Sequence, residues 1–395
     1  MVVAAASSSS SFFSHASPSA TVMAIPIAEE PAAAASDAEQ LIPGLPDEVA
    51  EYCLLRLPFP YQSKARSVSS SWKRAISSPS FHLAKNTLSL SLPYLFVFAF
   101  HRSTFRLQWQ AFDPRSRGWF ALPPMPLDAA GCGDGGAPLC PPAFACAAVP
   151  HRGELFVLGG MRSDTQTPLQ TLVSYRASTN SWSVAAPMST PRSFFVAGCI
   201  GGKIFAAGGH AAGGMGGGVD DGGVDDAIRT VESYDPAADR WSPAARMAWG
   251  VSRYDAAVVS GKLYVTEGWT WPFSFSPRGG VYDPEADAWE EMRVGMREGW
   301  TGVSVVLGGR LFVISEYGDC RVKAYDEARD SWQPVGGGGV PGELQKPFAV
   351  AGIEGRIYEQ EQLISGEVRA KKKEKIWDLE LLELGTNDSS EVTPT

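Results

Sequence analysis

Five times along this chain an aromatic residue stands seven positions before a tryptophan: Phe112/Trp119, Tyr175/Trp182, Tyr234/Trp241, Tyr282/Trp289 and Tyr325/Trp332. A step of constant length implies a repeated local structure, because shifting a strand by one residue turns every later side chain to the opposite face. Asp113-Pro114, Asp235-Pro236 and Asp283-Pro284 put turn-forming residues inside three of the steps. The step therefore reads as a strand carrying the first aromatic, a tight turn, and an outer strand carrying the Trp, with both rings packed between adjacent sheets.

A second series runs in phase with the first. Gly153-Glu154-Leu155-Phe156, Gly202-Lys203-Ile204-Phe205, Gly261-Lys262-Leu263-Tyr264, Gly309-Arg310-Leu311-Phe312 and Gly355-Arg356-Ile357-Tyr358 are spaced by 49, 59, 48 and 46 residues, and each starts a β run. The first two runs end in Gly159-Gly160 and Gly208-Gly209. Runs of small and apolar residues lie between the markers, as in Phe194-Phe195-Val196-Ala197-Gly198 and Gly302-Val303-Ser304-Val305-Val306, and suit strands crowded around an axis. The 41 glycines and 29 prolines agree with many short strands and frequent turns.

The period, the Gly pair and the Tyr-to-Trp step resemble kelch repeats, which implies a β-propeller in which each repeat is a four-stranded blade. The expected fold is mainly β: a kelch-type propeller over residues 92–384, with five clear blades and an irregular sixth that starts at Phe348-Ala349-Val350-Ala351-Gly352. Two places break the pattern. A Gly/Asp stretch from Ala211 to Asp226 lengthens the third blade and reads as a surface loop, since loop insertions cost little free energy. After Tyr358 the pattern fades, and Lys371-Lys372-Lys373-Glu374-Lys375 reads as a solvated loop or a nuclear import signal. Residues 385–395 are expected to be a disordered tail.

Residues 41–85 differ in kind from the repeats. Pro46 stands at a first helical turn followed by two acids, Val49, Cys53, Leu54 and Leu57 recur at helical spacing, and Pro58 ends the stripe. Further helices are expected from about Pro60 to Val68 and around Trp72 to Ile76. So short a module is expected to complete its core against something else. Leu45-Pro46, the Val49/Leu54/Leu57-Pro58 spacing, Arg66-Ser67-Val68-Ser69, Trp72-Lys73 and Ser78-Pro79-Ser80-Phe81 resemble an F-box, with Ser69 or Ser70 where many F-boxes carry Cys. That resemblance implies docking on the Skp adaptor of a cullin scaffold. By carry-over, Leu45, Pro46, Val49, Leu54, Leu57, Pro58 and Trp72 form or support the adaptor surface. The alternative reading is a helical bundle that only caps the next domain.

The bulk numbers narrow the function. A net charge of -9 opposes a phosphate backbone, so no nucleic-acid partner is expected. No run of eighteen apolar residues is present, and no membrane span is expected. Residues 1–40 are rich in Ala and Ser, lack Lys and Arg, and contain Glu29, Glu30, Asp37 and Glu39, which reads as a disordered leader and not a targeting peptide. Six scattered cysteines form neither a metal cluster nor a disulfide framework, consistent with a reducing nuclear and cytoplasmic setting. Five scattered histidines suggest no nucleophile arrangement, so no catalytic residue, metal or cofactor is assigned.

Candidate contacts for a protein substrate stand just before the inner strands, at Arg192, Arg253, Tyr254 and Trp300, and in the aromatic run containing Trp269, Trp271 and Phe273. Arg, Tyr and Trp dominate interaction hot spots. Arg192, Arg253, Tyr254 and Trp300 are equally suited to packing or salt bridges between blades, and the aromatic run to covering the propeller's side or docking the helical module. The order of F-box then kelch propeller resembles plant F-box/kelch-repeat receptors of SCF-type ubiquitin ligases, some of which act in light signalling or phenylpropanoid control. The resemblance implies a non-catalytic receptor that holds a target for ubiquitination and degradation. Two alternatives are a propeller enzyme, such as a sugar oxidase or epimerase, and a non-degradative binding scaffold.

Overall fold

Four of the repeated hairpins use a two-residue turn in which both central residues have positive φ, the geometry that matches the twist of the strands it joins. Gly201-Gly202 (57°, 81°), Ser260-Gly261 (50°, 76°), Gly308-Gly309 (57°, 75°) and Glu354-Gly355 (48°, 77°) are these turns. The second position is Gly every time, which explains the glycine that heads four of the five repeat cores, while Gly153 heads the first from the left-handed end of a 3-10 turn.

The computed structural model describes residues 3–6, 40–88, 90, 92–101, 106–126, 143–162, 165–210, 228–250, 255–267, 276–315, 322–335, 348–361 and 375–378. They divide into a sheet unit and a helical unit. The sheets follow one another as antiparallel blades with strands in chain order. Blade one holds β1 (Val3–Ala6), β2 (Tyr94–His101), β3 (Arg106–Asp113) and β4 (Gly118–Ala121). Blade two holds β5 (Ala145–Val149), β6 (Glu154–Leu158), β7 (Leu172–Arg176) and β8 (Ser181–Ala185), and blade three β9 (Val196–Ile200), β10 (Lys203–Ala207), β11 (Val231–Asp235) and β12 (Arg240–Ala244). Blade four holds β13 (Asp255–Val259), β14 (Lys262–Thr266), β15 (Gly279–Asp283) and β16 (Ala288–Glu291). Blade five holds β17 (Gly302–Leu307), β18 (Arg310–Ser315), β19 (Val322–Asp326) and β20 (Ser331–Pro334), and blade six β21 (Phe348–Ile353), β22 (Arg356–Glu361) and β23 (Lys375–Asp378).

This is the expected propeller, with five four-stranded blades and, among the described residues, three strands in the sixth. The innermost strands pack in succession, and β21 returns to β1 to close the ring. Apolar layers fill the gaps between blades. Phe156, Leu158, Ile204 and Tyr234 join blades two and three, and Phe205, Val231, Leu263 and Tyr282 join three and four. Leu95 and Phe112 of blade one meet Ile353 and Tyr358 of blade six. The Arg115–Glu354 ion pair adds to that junction.

The expectation of a disordered leader over residues 1–40 is corrected at Val3–Ala6, which pairs with β2. The Ala/Ser composition of the whole segment hid a short uncharged stretch that gains stability from backbone pairing supplied far along the chain.

Each aromatic-to-Trp step places its two residues directly opposite on neighbouring strands, as at Tyr234 and Trp241. The ring centroids of the four Tyr/Trp pairs lie 5.1, 5.2, 5.3 and 5.4 Å apart. Inside the turn, Asp235 Oδ1 accepts from the N–H groups of Ala237 and Ala238, and Asp283 and Asp326 do the same in their own turns. A second polar position, five residues after the Tyr, adopts the left-handed conformation at Asn180, Asp239, Asp287 and Asp330 (φ 45–48°). Asn and Asp tolerate that region better than most residues. Its side chain accepts the Tyr hydroxyl in every case, at 2.6–2.7 Å.

That residue also reaches the preceding blade. Ala186 N–H donates to Asp239 while Ala186 O accepts from Trp241 Nε1, both at 2.8 Å. Ala245 is held in the same way by Asp287 and Trp289. Asp239→Ala leaves the Ala186 N–H and the Tyr234 hydroxyl unmatched and is expected to lower stability in urea denaturation by about 2–3 kcal/mol, against about 1 kcal/mol for Tyr234→Phe. Those same two donors hold the Asp239 carboxyl below its ordinary value of 3.8. Its contribution is therefore complete above about pH 4 and vanishes as pH falls through the lowered value, so the gap between wild type and Asp239→Ala closes in acid.

Candidate interaction surfaces

The helical unit is built from α1 (Asp47–Leu55), α2 (Tyr61–Ala65), α3 (Ser70–Ser77) and α4 (Pro79–Thr87). Ser69 and Ser78 cap α3 and α4 by accepting from the N–H groups of Trp72 and Phe81, and Pro79 occupies the first position of α4. The last helix is an addition to the three expected from the sequence. Leu54, Leu55, Ala65, Ile76 and Phe81 form a core of their own, with Leu57, Trp72, Ala84 and Leu90 packed around it.

This core divides the seven residues assigned to the adaptor surface. Leu54 is buried, and Leu45, Leu57, Pro58 and Trp72 are half-buried. The Trp72 indole N–H donates to the Leu41 carbonyl and fixes the segment leading into α1. Pro46 is exposed, and Val49 is 46% exposed. Tyr52 and Cys53 follow at positions i+3 and i+4 from Val49 and are exposed too. Pro46, Val49, Tyr52 and Cys53 thus share one face of α1, while Ala50, Leu54 and Leu55 line its buried face. The single stripe expected at Val49, Cys53, Leu54 and Leu57 is therefore two faces, one inward and one outward. Tyr52 was missed, although its spacing from Val49 would have shown it.

Lys85 is buried beneath α1, with its ammonium donating to the Leu57 carbonyl at 2.8 Å. Burial pulls its pKa down to about 8.

In the propeller, antiparallel pairing puts the connections between second and third strands on the same face as the links from blade to blade. Arg192 lies on such a link and is 0% exposed. Its Nε donates to Glu232 Oε1 at 3.0 Å, and its Nη atoms donate to Gly208 O, Thr230 O and Thr230 Oγ1. Glu232 also accepts from the N–H groups of Ser189 and Thr190. Trp300 is 1% exposed, and its indole N–H donates to Asp255 Oδ2, which Ser304 N–H also reaches. Burial pushes the Asp255 carboxyl up, against the opposing pull of these donors.

Comparison with known proteins fits both units. The F-box domain model matches residues 42–84, and the Kelch motif model matches 142–189 and 191–248. The F-box protein AFR of Arabidopsis thaliana is 47% identical over 321 residues, covering 81% of each chain. The chain belongs to the F-box/kelch-repeat family. A second F-box/kelch-repeat protein of the same plant is 42% identical, over 81% of this chain and 76% of its own.

Two substrate assignments are corrected for this F-box/kelch protein. Arg192 and Trp300 offer no surface to a partner, because each is consumed by contacts between a link and its neighbouring blades. Position before an inner strand signalled a rim location but not which way the side chain turns. Arg253, Tyr254, Trp269, Trp271 and Phe273 lie outside the described residues.

No pattern in the residues announced α5 (Val294–Gly299), a helical turn within the link from blade four to blade five. A Cβ on Gly295 would sit 1.7 Å from Asp330 O, and one on Gly299 1.9 Å from Trp332 Cδ1, so only glycine permits this packing. Asp330 receives the Gly295 and Met296 N–H groups. The turn leaves Arg293, Val294 and Glu298 exposed on the link face.

Arg192→Leu strands a buried Glu232 and is expected to cost about 3–5 kcal/mol in urea denaturation, with part of the loss recovered in Arg192→Leu/Glu232→Leu. For Lys85 the unfolded chain holds more protons between about pH 8 and 10.5. Stability of the helical unit should therefore rise with pH across that window by about 3 kcal/mol, and Lys85→Met should flatten the rise, read by hydrogen exchange of residues 47–55 in the full chain.

Proposed function

We propose that this F-box/kelch protein is the substrate receptor of an SCF-type ubiquitin ligase. The outward face of α1 carries the reading: Pro46, Val49, Tyr52 and Cys53 stay exposed while the opposite face of the same helix completes the core. An exposed apolar face on a helix whose other side is packed suits docking on another protein, and the F-box match supports the Skp adaptor as that partner, with a cullin behind it. The propeller holds the target, and a separate ubiquitin-charged enzyme performs the transfer. The chain supplies proximity and orientation and contributes no nucleophile.

The exposed residues of the link face, among them Arg293, Val294 and Glu298, are the described part of the substrate surface. Light signalling or phenylpropanoid control is the proposed setting, resting on the likeness to plant F-box/kelch receptors, and nucleus and cytoplasm are the proposed compartments.

Affinity purification of wild type beside Pro46→Ala/Val49→Asp, under proteasome inhibition, tests the assignment. Adaptor and cullin are expected to fall at least ~10-fold in the variant, about 1.4 kcal/mol of docking energy. Proteins retained by both forms and accumulating with the variant are substrates. Equal recovery of adaptor and cullin overturns the reading.

A further inference from the structure

Blades one and six depart from the common plan in different ways. Among the described residues blade six has its innermost strand, β21, followed by β22 and β23. Blade one has its full complement, but its innermost strand comes from Val3–Ala6, on the far side of the F-box in sequence. The pairing is antiparallel and in register, with Val3 opposite Val97, Ala4 opposite Phe96, Ala5 opposite Leu95 and Ala6 opposite Tyr94.

The two departures have unequal consequences. A fourth strand lies on the perimeter of a blade and takes no part in closing the ring. An innermost strand is a member of the ring itself. β1 packs between β21 on one side and β5 on the other. Without it, β2 would turn an unpaired backbone edge toward the axis, the arrangement that sheet proteins avoid by closure. Contacts farther out, at Phe112, Tyr358 and the Arg115–Glu354 pair, would then hold blades one and six together alone.

We propose that Val3–Ala6 is the closing strand of the propeller, and that the F-box is therefore an insertion within blade one, between its first and second strands, and not a module placed ahead of the propeller. The chain leaves the propeller after Ala6, builds the F-box, and re-joins the same sheet at Tyr94. An insertion of roughly ninety residues is tolerable there, because closure entropy grows only with the logarithm of loop length. The F-box thus joins the propeller through both of its ends in sequence. Loss of the first few residues costs the propeller its ring and not merely a leader.

Disulfide trapping in the full chain tests the pairing. Ala5→Cys/Leu95→Cys under mild oxidation should give an intrachain link between positions 5 and 95 in tryptic peptides, and the unpaired control Ala5→Cys/Val313→Cys should give none. Absence of the 5–95 link overturns the proposal. A link found only between two chains also overturns it, since the strand would then come from a second copy. As Leu95 is buried, a second measurement leaves it intact. Deleting residues 2–7 should raise amide exchange of residues 94–97 at least tenfold while residues 255–266 of blade four keep their protection. Unchanged protection at 94–97 contradicts closure by β1.

Discussion

Blades three, four and five each grip the one before at a single residue, held by both of its backbone groups. Ala186 gives its N–H to Asp239 and receives the Trp241 indole N–H on its carbonyl, and Ala245 is held alike by Asp287 and Trp289. Blade five does the same through Asp330 and Trp332, with Met296 of α5 in the grip. Neither side chain of the grip has freedom to wander. The Asp is fixed by a Tyr hydroxyl and by its place in a turn, and the Trp is stacked on that Tyr. The blades share little other polar contact that repeats, so their stacking angle is set by this device together with the apolar layers. Links between blades can then vary in sequence, as α5 shows, provided one backbone unit is offered to the next blade.

That device explains how much of the fold was legible. The seven-residue step between aromatic and Trp is a direct image of two residues facing each other across a turn, and the heading Gly is an image of a positive φ. Both survive in sequence because the geometry admits few residue types. The Asp or Asn five residues after the Tyr has the same origin and was overlooked, because acids are common in turns and only the register reveals this one as a bridge. β1 was illegible for a different reason. A strand of four small uncharged residues has no pattern of its own, and its pairing is decided by an edge that the sequence places far away.

The interaction surfaces were legible in part. Family motifs located the F-box residues, yet only the packed core shows that Leu54 and Trp72 hold the domain together while Val49, and the unassigned Tyr52 and Cys53, face outward. In the propeller, residue type misled. Arg and Trp favour interfaces, but the interface that Arg192 and Trp300 serve is the one between blades, where a guanidinium surrounded by Glu232 and carbonyl oxygens is satisfied. The structure consequently separates two roles within one chain, an F-box with an outward apolar face and a propeller whose strong polar contacts are spent on its own integrity.

On the proposed function, the outward face of α1, and no part of the blades, receives the adaptor. Amide hydrogen exchange of the full chain with and without purified Skp adaptor measures this directly. Added protection over residues 46–53 and unchanged exchange across the described blades are expected. Unchanged exchange in α1, or protection confined to the propeller, would contradict that function.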